Sequence, residues 1–275
     1  MILKYTNSQG KVFELISNGL YRIKTANFHS YAWNVQGVPQ KFGIKVENFT
    51  KDPYEYKMTV VFRGSDKVRK DTINLFHEAM AYDIIVKKPG KLQWGEYYID
   101  CYITSTSTYP DEKSHQTIND LIILAPYPFW IQEISKMFMA KTQSFMLAGP
   151  SYAFDYPFDY ELAGAGIESW DNKHYAPSHF KMTIYGPCVY PRVLVNGYPY
   201  QIFTELAATE YLIIDSRDNT VTKYLTNGTA ENIYNSRQFD YSVFNKIPGG
   251  QTNINWSGDF SFEITLYLER SEPKW

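Results

Sequence analysis

Alternation of apolar and polar residues runs through most of the chain and predicts β-strands. Short runs rich in β-branched and aromatic residues stand between turn-forming residues, a pattern typical of strands. In the N-terminal half the predicted strands are KVFELI, LYRIKT, FGIKVENF, YKMTVVF, YYIDCYIT and DLIILAP. The final run, NINWSGDFSFEITLYLE, alternates throughout and predicts one long strand or a pair bent around Ser257 and Gly258. We therefore expect a mainly β protein.

One segment has helical periodicity instead. Between about Val68 and Ile84 the apolar residues recur at spacings of three and four, and Asp71 stands where an N-cap is expected. The recurring positions are Ile73, Phe76 and Met80, flanked by Leu75 and Ala79. The pattern predicts one amphipathic helix packed on a sheet.

Turn chemistry predicts two hairpins in the C-terminal half. Asn196 and Gly197 separate RVLV from YPYQIF, and Asn-Gly favours a type I′ turn. A four-residue turn from Ser216 to Asn219 separates YLIID from TVTKYL. These turns predict the register of both strand pairs.

A chain of 275 residues can hold two domains. Gly149, Pro150 and Pro157 interrupt the strand pattern, so we place the boundary near residue 148. The expected domains are 1–148 and 149–275, packed together because no Gly/Ser-rich linker joins them.

Charge narrows the choice of partners. The chain has 27 basic and 29 acidic residues, a net charge of -2, while 17% of its residues are aromatic. A nucleic-acid backbone or an anionic membrane would require a basic surface, so neither is an expected partner. No apolar run suits a signal peptide or a bilayer span, and we expect a soluble protein.

Candidate chemistry is sparse. Cys101 and Cys188 are predicted to be reduced and buried, with a disulfide between them as the alternative. His174 and His179 have Pro177 between them and no zinc-like partner spacing, so we interpret them as exposed loop histidines and expect no metal and no cofactor.

No catalytic motif emerges, and we expect a protein that is not an enzyme. Asp155 and Asp159 form a carboxylate pair of the kind glycoside hydrolases use, but aspartates more often serve turns. The sequence from Gly164 to Gly166 lacks the third glycine and the βαβ context of a dinucleotide loop.

Clustered aromatic residues offer a possible contact surface. Tyr156, Trp170 and Tyr175 could stack on a saccharide or form a subunit interface, since both uses favour broad amphipathic rings. The composition does not separate these two interpretations.

A succession of blocks in the C-terminal half resembles the distal tail proteins of siphovirus-type phages and prophages that infect Gram-positive hosts. The blocks are FDYPFDY (154–160), FKMTIYGPCVYPRVLVNG (180–197), EYLIIDSRDNTVT (210–222), NKIPGG (245–250), NWSGDFSFEITLY (255–267) and RSEPKW (270–275). In the N-terminal half, YTNSQGKVFEL and KPGKLQWGEYYIDCYI (88–103) are similar to the ring-forming domain of that family.

The resemblance implies a scaffold at the virion tail tip. It implies an N-terminal ring-forming β-sandwich or split barrel with one helix and a belt hairpin, followed by a C-terminal galectin-like β-sandwich. The implied partners are further copies of the chain in a hexameric ring, the tail-tube protein, the tape measure protein, and the tail-associated lysin or receptor-binding hub. DNA would only pass through the lumen.

Two details refine this expectation. The segment from Thr25 to Asn48 is aromatic with little core periodicity, and we expect it to contribute the arm of the ring-forming domain. The blocks from Phe154 to Trp275 leave no room for an inserted carbohydrate-binding module. Saccharide binding through the C-terminal β-sandwich is the alternative function, and a galectin-like fold alone would not establish it.

Overall fold

Strands make up most of the regular structure, as the alternating pattern predicts. A computed structural model describes residues 3–15, 19–111, 114, 116–141 and 166–274. The chain forms two compact units, one of Met1–Gln132 with Glu269–Trp275 and one of Glu133–Leu268. The expected domain boundary near residue 148 lies outside the described residues and stays a prediction.

Within its described residues, the first unit contains one α-helix, two larger antiparallel sheets and a separate two-stranded hairpin. Its elements are β1 (Leu3–Thr6), β2 (Val12–Glu14), β3 (Tyr21–Ala26), β4 (Asn34–Pro39), β5 (Ile44–Thr50), β6 (Tyr54–Phe62), α1 (Asp66–Ile85), β7 (Gly90–Trp94), β8 (Tyr97–Asp111), β9 (Gln116–Ala125) and the start of β10 (Trp130–Phe138). Strands β2, β1, β7 and the first part of β8 are neighbours in one of the larger sheets, and β3, β6, β9 and the second part of β8 in the other.

Helix α1 confirms the predicted amphipathic helix. Phe76, Ala79 and Met80 are buried in the core of this unit, among side chains of β6, β8 and β9. Leu75 remains 44% exposed on the outer face. The predicted cap is wrong: the helix begins at Asp66 with Ser65 as its N-cap, and Asp71 lies inside it.

The early start of α1 has an electrostatic reason. The Asp66 carboxylate contacts Arg69 at 2.7 Å and Lys70 at 2.8 Å, one turn along the helix. An acidic residue in the first turn also suits the positive end of the helix dipole. These contacts support a turn of helix that apolar periodicity alone does not reveal.

The second unit is a β-sandwich. Its strands are β11 (Gly166–Asn172), β12 (His179–Tyr185), β13 (Cys188–Val189), β14 (Arg192–Val195), β15 (Tyr198–Gln201), β16 (Glu205–Leu206), β17 (Tyr211–Asp215), β18 (Thr220–Tyr224), β19 (Ala230–Asn232), β20 (Gly250–Trp256) and β21 (Phe262–Arg270). One sheet of the sandwich has the order β19-β18-β17-β12-β21-β10 and the other has the order β11-β20-β14-β15.

One buried core joins the two sheets of this sandwich. Phe180 and Ile264 come from the first sheet, Val193 and Trp256 from the second, and all four belong to the same cluster. Alternate residues of each strand point inward, so each sheet supplies one apolar face. A 3₁₀ turn at Tyr234–Ser236 lies in the long connection between β19 and β20.

Both predicted hairpins of this unit are confirmed. Val195 is paired with Tyr198 across Asn196 and Gly197, whose φ angles of 50° and 81° are those a type I′ turn requires. Asp215 is paired with Thr220 across the predicted four-residue turn. Of the two forms expected for the final run, the structure has the bent one, with β20 and β21 in different sheets.

The two cysteines are buried and unbonded, as predicted. Burial raises the pKa of the Cys188 thiol to about 11, which keeps it protonated near neutral pH. Among the helices of the described residues, none is long and apolar enough to cross a membrane.

Candidate interaction surface

Strands β4 and β5 form a hairpin, called here the arm (Asn34–Thr50), that pairs with no other strand of the described residues. Every residue from 31 to 49 is exposed. The exposed side chains include six large apolar ones, Val35, Val38, Phe42, Ile44, Val46 and Phe49. Several large apolar side chains exposed on one hairpin suit an interaction site. The hairpin overlaps the segment from Thr25 to Asn48 that was expected to form the arm, and it ends two residues beyond it.

The tip of the arm is fixed by its backbone. The amide of Gln40 donates to the carbonyl of Gly43 at 2.9 Å, and Gly43 has a φ of 91°, which favours glycine. Between them Phe42 is 86% exposed. The turn therefore presents an aromatic ring at the end of the hairpin.

A bulge in the middle of the arm depends on Gly37. The strand register shifts between Gln36 and Gly37, so that Glu47 has no partner on β4. A Cβ atom at Gly37 would lie 2.3 Å from the carbonyl oxygen of Lys45. Only glycine allows the two backbones to approach this closely, and bulges of this kind increase the twist of a strand pair.

Three aromatic rings surround the amine of Lys51 at the base of the arm. Its nitrogen lies 5.4 Å from the ring centre of Tyr31, 4.9 Å from that of Trp33 and 4.4 Å from that of Phe129. It also donates a hydrogen bond of 3.1 Å to the Pro128 carbonyl. We call these residues the Lys51 cage. Cation–π attraction ties the arm to the loop between β9 and β10.

Burial within the Lys51 cage disfavours the charged form of the Lys51 amine. Burial lowers the pKa of the Lys51 amine to about 8. Beside it, the Asn34 amide donates to Asp52 at 2.6 Å and closes the base of the hairpin. An apolar hollow of about 310 Å³ lies between Trp33 and Phe49. The base of the arm is therefore ordered by polar contacts while its length remains apolar and exposed.

The predicted aromatic contact residues are separated in the structure. Tyr156 lies outside the described residues. Trp170, on β11, packs against the sandwich core, and its ring meets that of Phe138 at 6.1 Å. Tyr175 is 75% exposed and lies against His174 at 4.4 Å. Of the two that the structure describes, Tyr175 is the more exposed.

The remaining candidate residues are two aspartates and two histidines. Asp155 and Asp159 lie outside the described residues, and no group of histidine, cysteine or acidic residues suited to a metal occurs in the rest. The interpretation of His174 as an exposed loop residue is wrong. It is buried, its Nδ1 lies 2.9 Å from the Ala176 carbonyl, and its backbone amide donates to the Asn172 side-chain oxygen at 3.2 Å. The same interpretation is wrong for His179, which is half-buried at the start of β12.

The Lys51 cage was not predicted from the sequence. Tyr31, Trp33 and Lys51 lie close together in the chain, but Phe129 comes from a distant loop. The available signal was a lysine following an aromatic-rich segment without core periodicity.

Comparison with known proteins places the fold. No family model and no curated protein matches the sequence. The Dit protein of phage SPP1, described as a paradigm of the hub adsorption apparatus in phages infecting Gram-positive hosts, is 8% identical, with a TM-score of 0.63 over 98% of this chain and 100% of its own.

Two structures of the phage P2 baseplate are also similar. The activated form with calcium is 15% identical, with a TM-score of 0.63 over 99% of this chain and 100% of the other. The activated form with strontium is 16% identical, with a TM-score of 0.60 over 99% of each chain. The expected resemblance to phage distal tail proteins is therefore confirmed at the level of the fold, which this chain shares over nearly its entire length.

Proposed function

We propose that this chain is a non-enzymatic structural protein of a siphovirus-type phage tail tip, a distal tail protein that joins the tail tube to the host-recognition apparatus. The observation that carries the proposal is the fold shared with SPP1 Dit and the P2 baseplate over at least 98% of this chain. The similarity covers both units, so it extends to the fold of the whole chain and is not limited to one domain.

The proposed assembly is a hexameric ring formed through the first unit. A closed ring needs two different complementary patches on each copy, because each subunit contacts a neighbour on either side. The arm supplies one such patch, with its exposed apolar side chains and a base fixed by the Lys51 cage. Its apolar surface suits burial against a second copy better than prolonged exposure to water.

The proposed partners are those of the family. The ring would lie between the tail-tube and tape measure proteins on one side and the lysin or receptor-binding hub on the other, with DNA passing through its lumen. The net charge of -2 supports passage rather than binding of DNA. We also propose that the sandwich of the second unit is galectin-like and lies at the outside of the ring.

Native mass in solution tests the ring. We expect a species six times the 32.0 kDa chain mass, or a stacked pair of such rings, by light scattering across a range of concentrations. Replacing Phe42 and Ile44 together by serine should shift the protein toward monomer, whereas Gln40→Ser, at the same tip, should not. A wild-type monomer both alone and mixed with its tail-tube protein would contradict the proposal.

A second candidate function is saccharide binding by the second unit. The exposed ring of Tyr175 favours it, while Trp170 is engaged with the core. Saturable binding of a host wall saccharide that Tyr175→Ala abolishes would support this function, and binding that survives the substitution would count against this residue.

A further inference from the structure

An open groove of about 440 Å³ lies on the second unit, and neither Trp170 nor Tyr175 lines it. Strand β14, the end of β20 and the loop that follows β13 form its walls. Five side chains give the groove its chemical character, and they are Tyr190, Arg192, Gln201, Asn255 and Asp259.

Strand register places three of these polar side chains on one face of the sheet. Arg192 stands opposite Gln201 on β15, and Leu194 stands opposite Asn255 on β20. Residues 192 and 194 share a face of β14 because side chains alternate along a strand. Directly paired residues point to the same side, so Arg192, Gln201 and Asn255 all project into the groove.

These three side chains have hydrogen-bonding capacity to spare. Within the described part of the chain, no protein group forms a hydrogen bond or ion pair with the side chain of Arg192, Gln201 or Asn255. Two amides and a guanidinium together offer donors and acceptors in planar, fork-like arrangements. Asp259 is hydrogen-bonded by the Ser257 hydroxyl and keeps a carboxylate at the rim.

Tyr190 provides an aromatic wall. It is 53% exposed, and its φ of 50° lies in the left-handed region that non-glycine residues seldom adopt. Its amide is held by the Thr204 carbonyl at 2.9 Å, and its ring meets the exposed ring of Phe203 edge-on at 6.0 Å. An unfavourable backbone conformation that holds a tyrosine at the edge of a groove is typical of binding sites.

We propose that this groove binds a neutral saccharide. The rim has one positive and one negative group, so it offers no net attraction to a phosphate or another anion. The amides and the guanidinium suit adjacent hydroxyl groups, and the Tyr190 ring suits the apolar face of a sugar ring. The groove is also of the size of known small-ligand sites, which are roughly 300 Å³ or more. The inference does not depend on ring assembly.

Titration of the full chain with neutral oligosaccharides tests the groove. The probes are oligomers of glucose, galactose, rhamnose and N-acetylglucosamine. Calorimetry and ligand-observed NMR measure the binding of each probe. We expect at least one to bind, and Tyr190→Ala, Gln201→Ala and Asn255→Ala each to weaken it roughly tenfold, as loss of a stacking or hydrogen-bonding partner does. Tyr175→Ala distinguishes the groove from the second candidate function. Ile167→Ala, which removes a side chain 65% exposed on β11 and outside the groove lining, is the matched control and should leave the affinity unchanged.

Three results would overturn the inference. The first is that none of the four probes binds at the highest soluble concentration. The second is that binding is lost in Tyr175→Ala and retained in all groove variants. The third is a change of native mass in the groove variants, because it would make the groove a contact between copies. Asn255→Ala and Gln201→Ala lie on different strands, and thermal unfolding of each shows whether lost affinity reflects lost folding. A negative saccharide titration would not change the native mass expected for the wild-type protein, so the two proposals fail separately.

Discussion

The amine nitrogen of Lys51 lies 4.4 Å from the centre of the Phe129 ring, where the chain leaves the arm. Lys51 follows β5, and Phe129 belongs to the loop before β10, so the contact joins two parts of the first unit that are distant in sequence. A cation held by aromatic rings gains attraction from their faces but loses water. The cage therefore fixes the base of the arm through a group whose charge depends on pH.

We expect the Lys51 amine to titrate near pH 8, because burial lowers its pKa to about 8. The folded pKa lies below the unfolded value of 10.5, so the folded state binds this proton less tightly. The Lys51 contribution to the free energy of unfolding should then increase as the pH rises from about 8 toward 10.5. NMR titration of the lysine Cε resonances measures the midpoint directly.

A variant of the Lys51 cage separates the attraction of the aromatic rings from the loss of water around the amine. Trp33→Leu keeps an apolar neighbour but removes one ring face, so the titration midpoint of the Lys51 amine should fall further. Val38→Leu, elsewhere on the arm, should leave it unchanged. A wild-type midpoint near 10.5 would show that the amine is not desolvated in solution.

The Tyr5 hydroxyl gives a second prediction, about stability. It donates a hydrogen bond of 2.5 Å to the buried Asp83 carboxylate, which also accepts from the amide and hydroxyl of Ser8 at 2.9 and 2.6 Å. Tyr5→Phe leaves that carboxylate short of one donor and should cost about 1–3 kcal/mol of unfolding free energy. Denaturant unfolding measures the loss.

The matched control for Tyr5→Phe is Tyr82→Phe. Tyr82 precedes Asp83 on α1, and its side chain is partly exposed without a hydrogen bond among the described residues. Its loss of a hydroxyl should change the unfolding free energy by less than about 0.5 kcal/mol. Equal effects of the two substitutions would mean that the contact with Asp83 contributes nothing to stability.

Local patterns in the sequence were enough to predict most strands and the confirmed hairpins. Alternation determines which side chains of a strand face the core, and Asn196 and Gly197 determine their own turn, so neither depends on distant residues. Strand β10 was missed because its glutamate and lysine residues are poor strand formers, and long-range pairing overrides that preference.

Long-range contacts account for what the sequence did not reveal. The start of α1 is supported by the ion pairs of Asp66 with Arg69 and Lys70, and the Lys51 cage depends on a loop far along the chain. The groove of the second unit depends on register between three strands. His174 was predicted to be an exposed loop residue, but within its loop it is buried and bonded to Asn172 and Ala176.

The two faces of α1 predict opposite outcomes for neighbouring residues. Phe76 is fully buried against Tyr5, Phe13 and Phe62, whereas Leu75 is exposed. Phe76→Ala should cost about 3–5 kcal/mol because it removes a core ring and leaves a cavity. Leu75→Ala should cost less than about 1 kcal/mol by the same denaturant measurement. Comparable losses would place the helix in a different rotation about its axis.

Gly37 tests whether the arm is a structural unit separate from the core. Because a Cβ atom there would meet the Lys45 carbonyl at 2.3 Å, Gly37→Ala should break the pairing of β4 with β5. The arm contributes no side chain to the buried cluster of the first unit, so the melting temperature should change little. Hydrogen exchange should show lost amide protection confined to residues 34–50, with Gln40→Ala as the unaffected control. If protection survives in Gly37→Ala, the backbones do not approach as closely as the bulge requires; if it is lost and the native mass falls with it, the ordered hairpin is what holds neighbouring copies together.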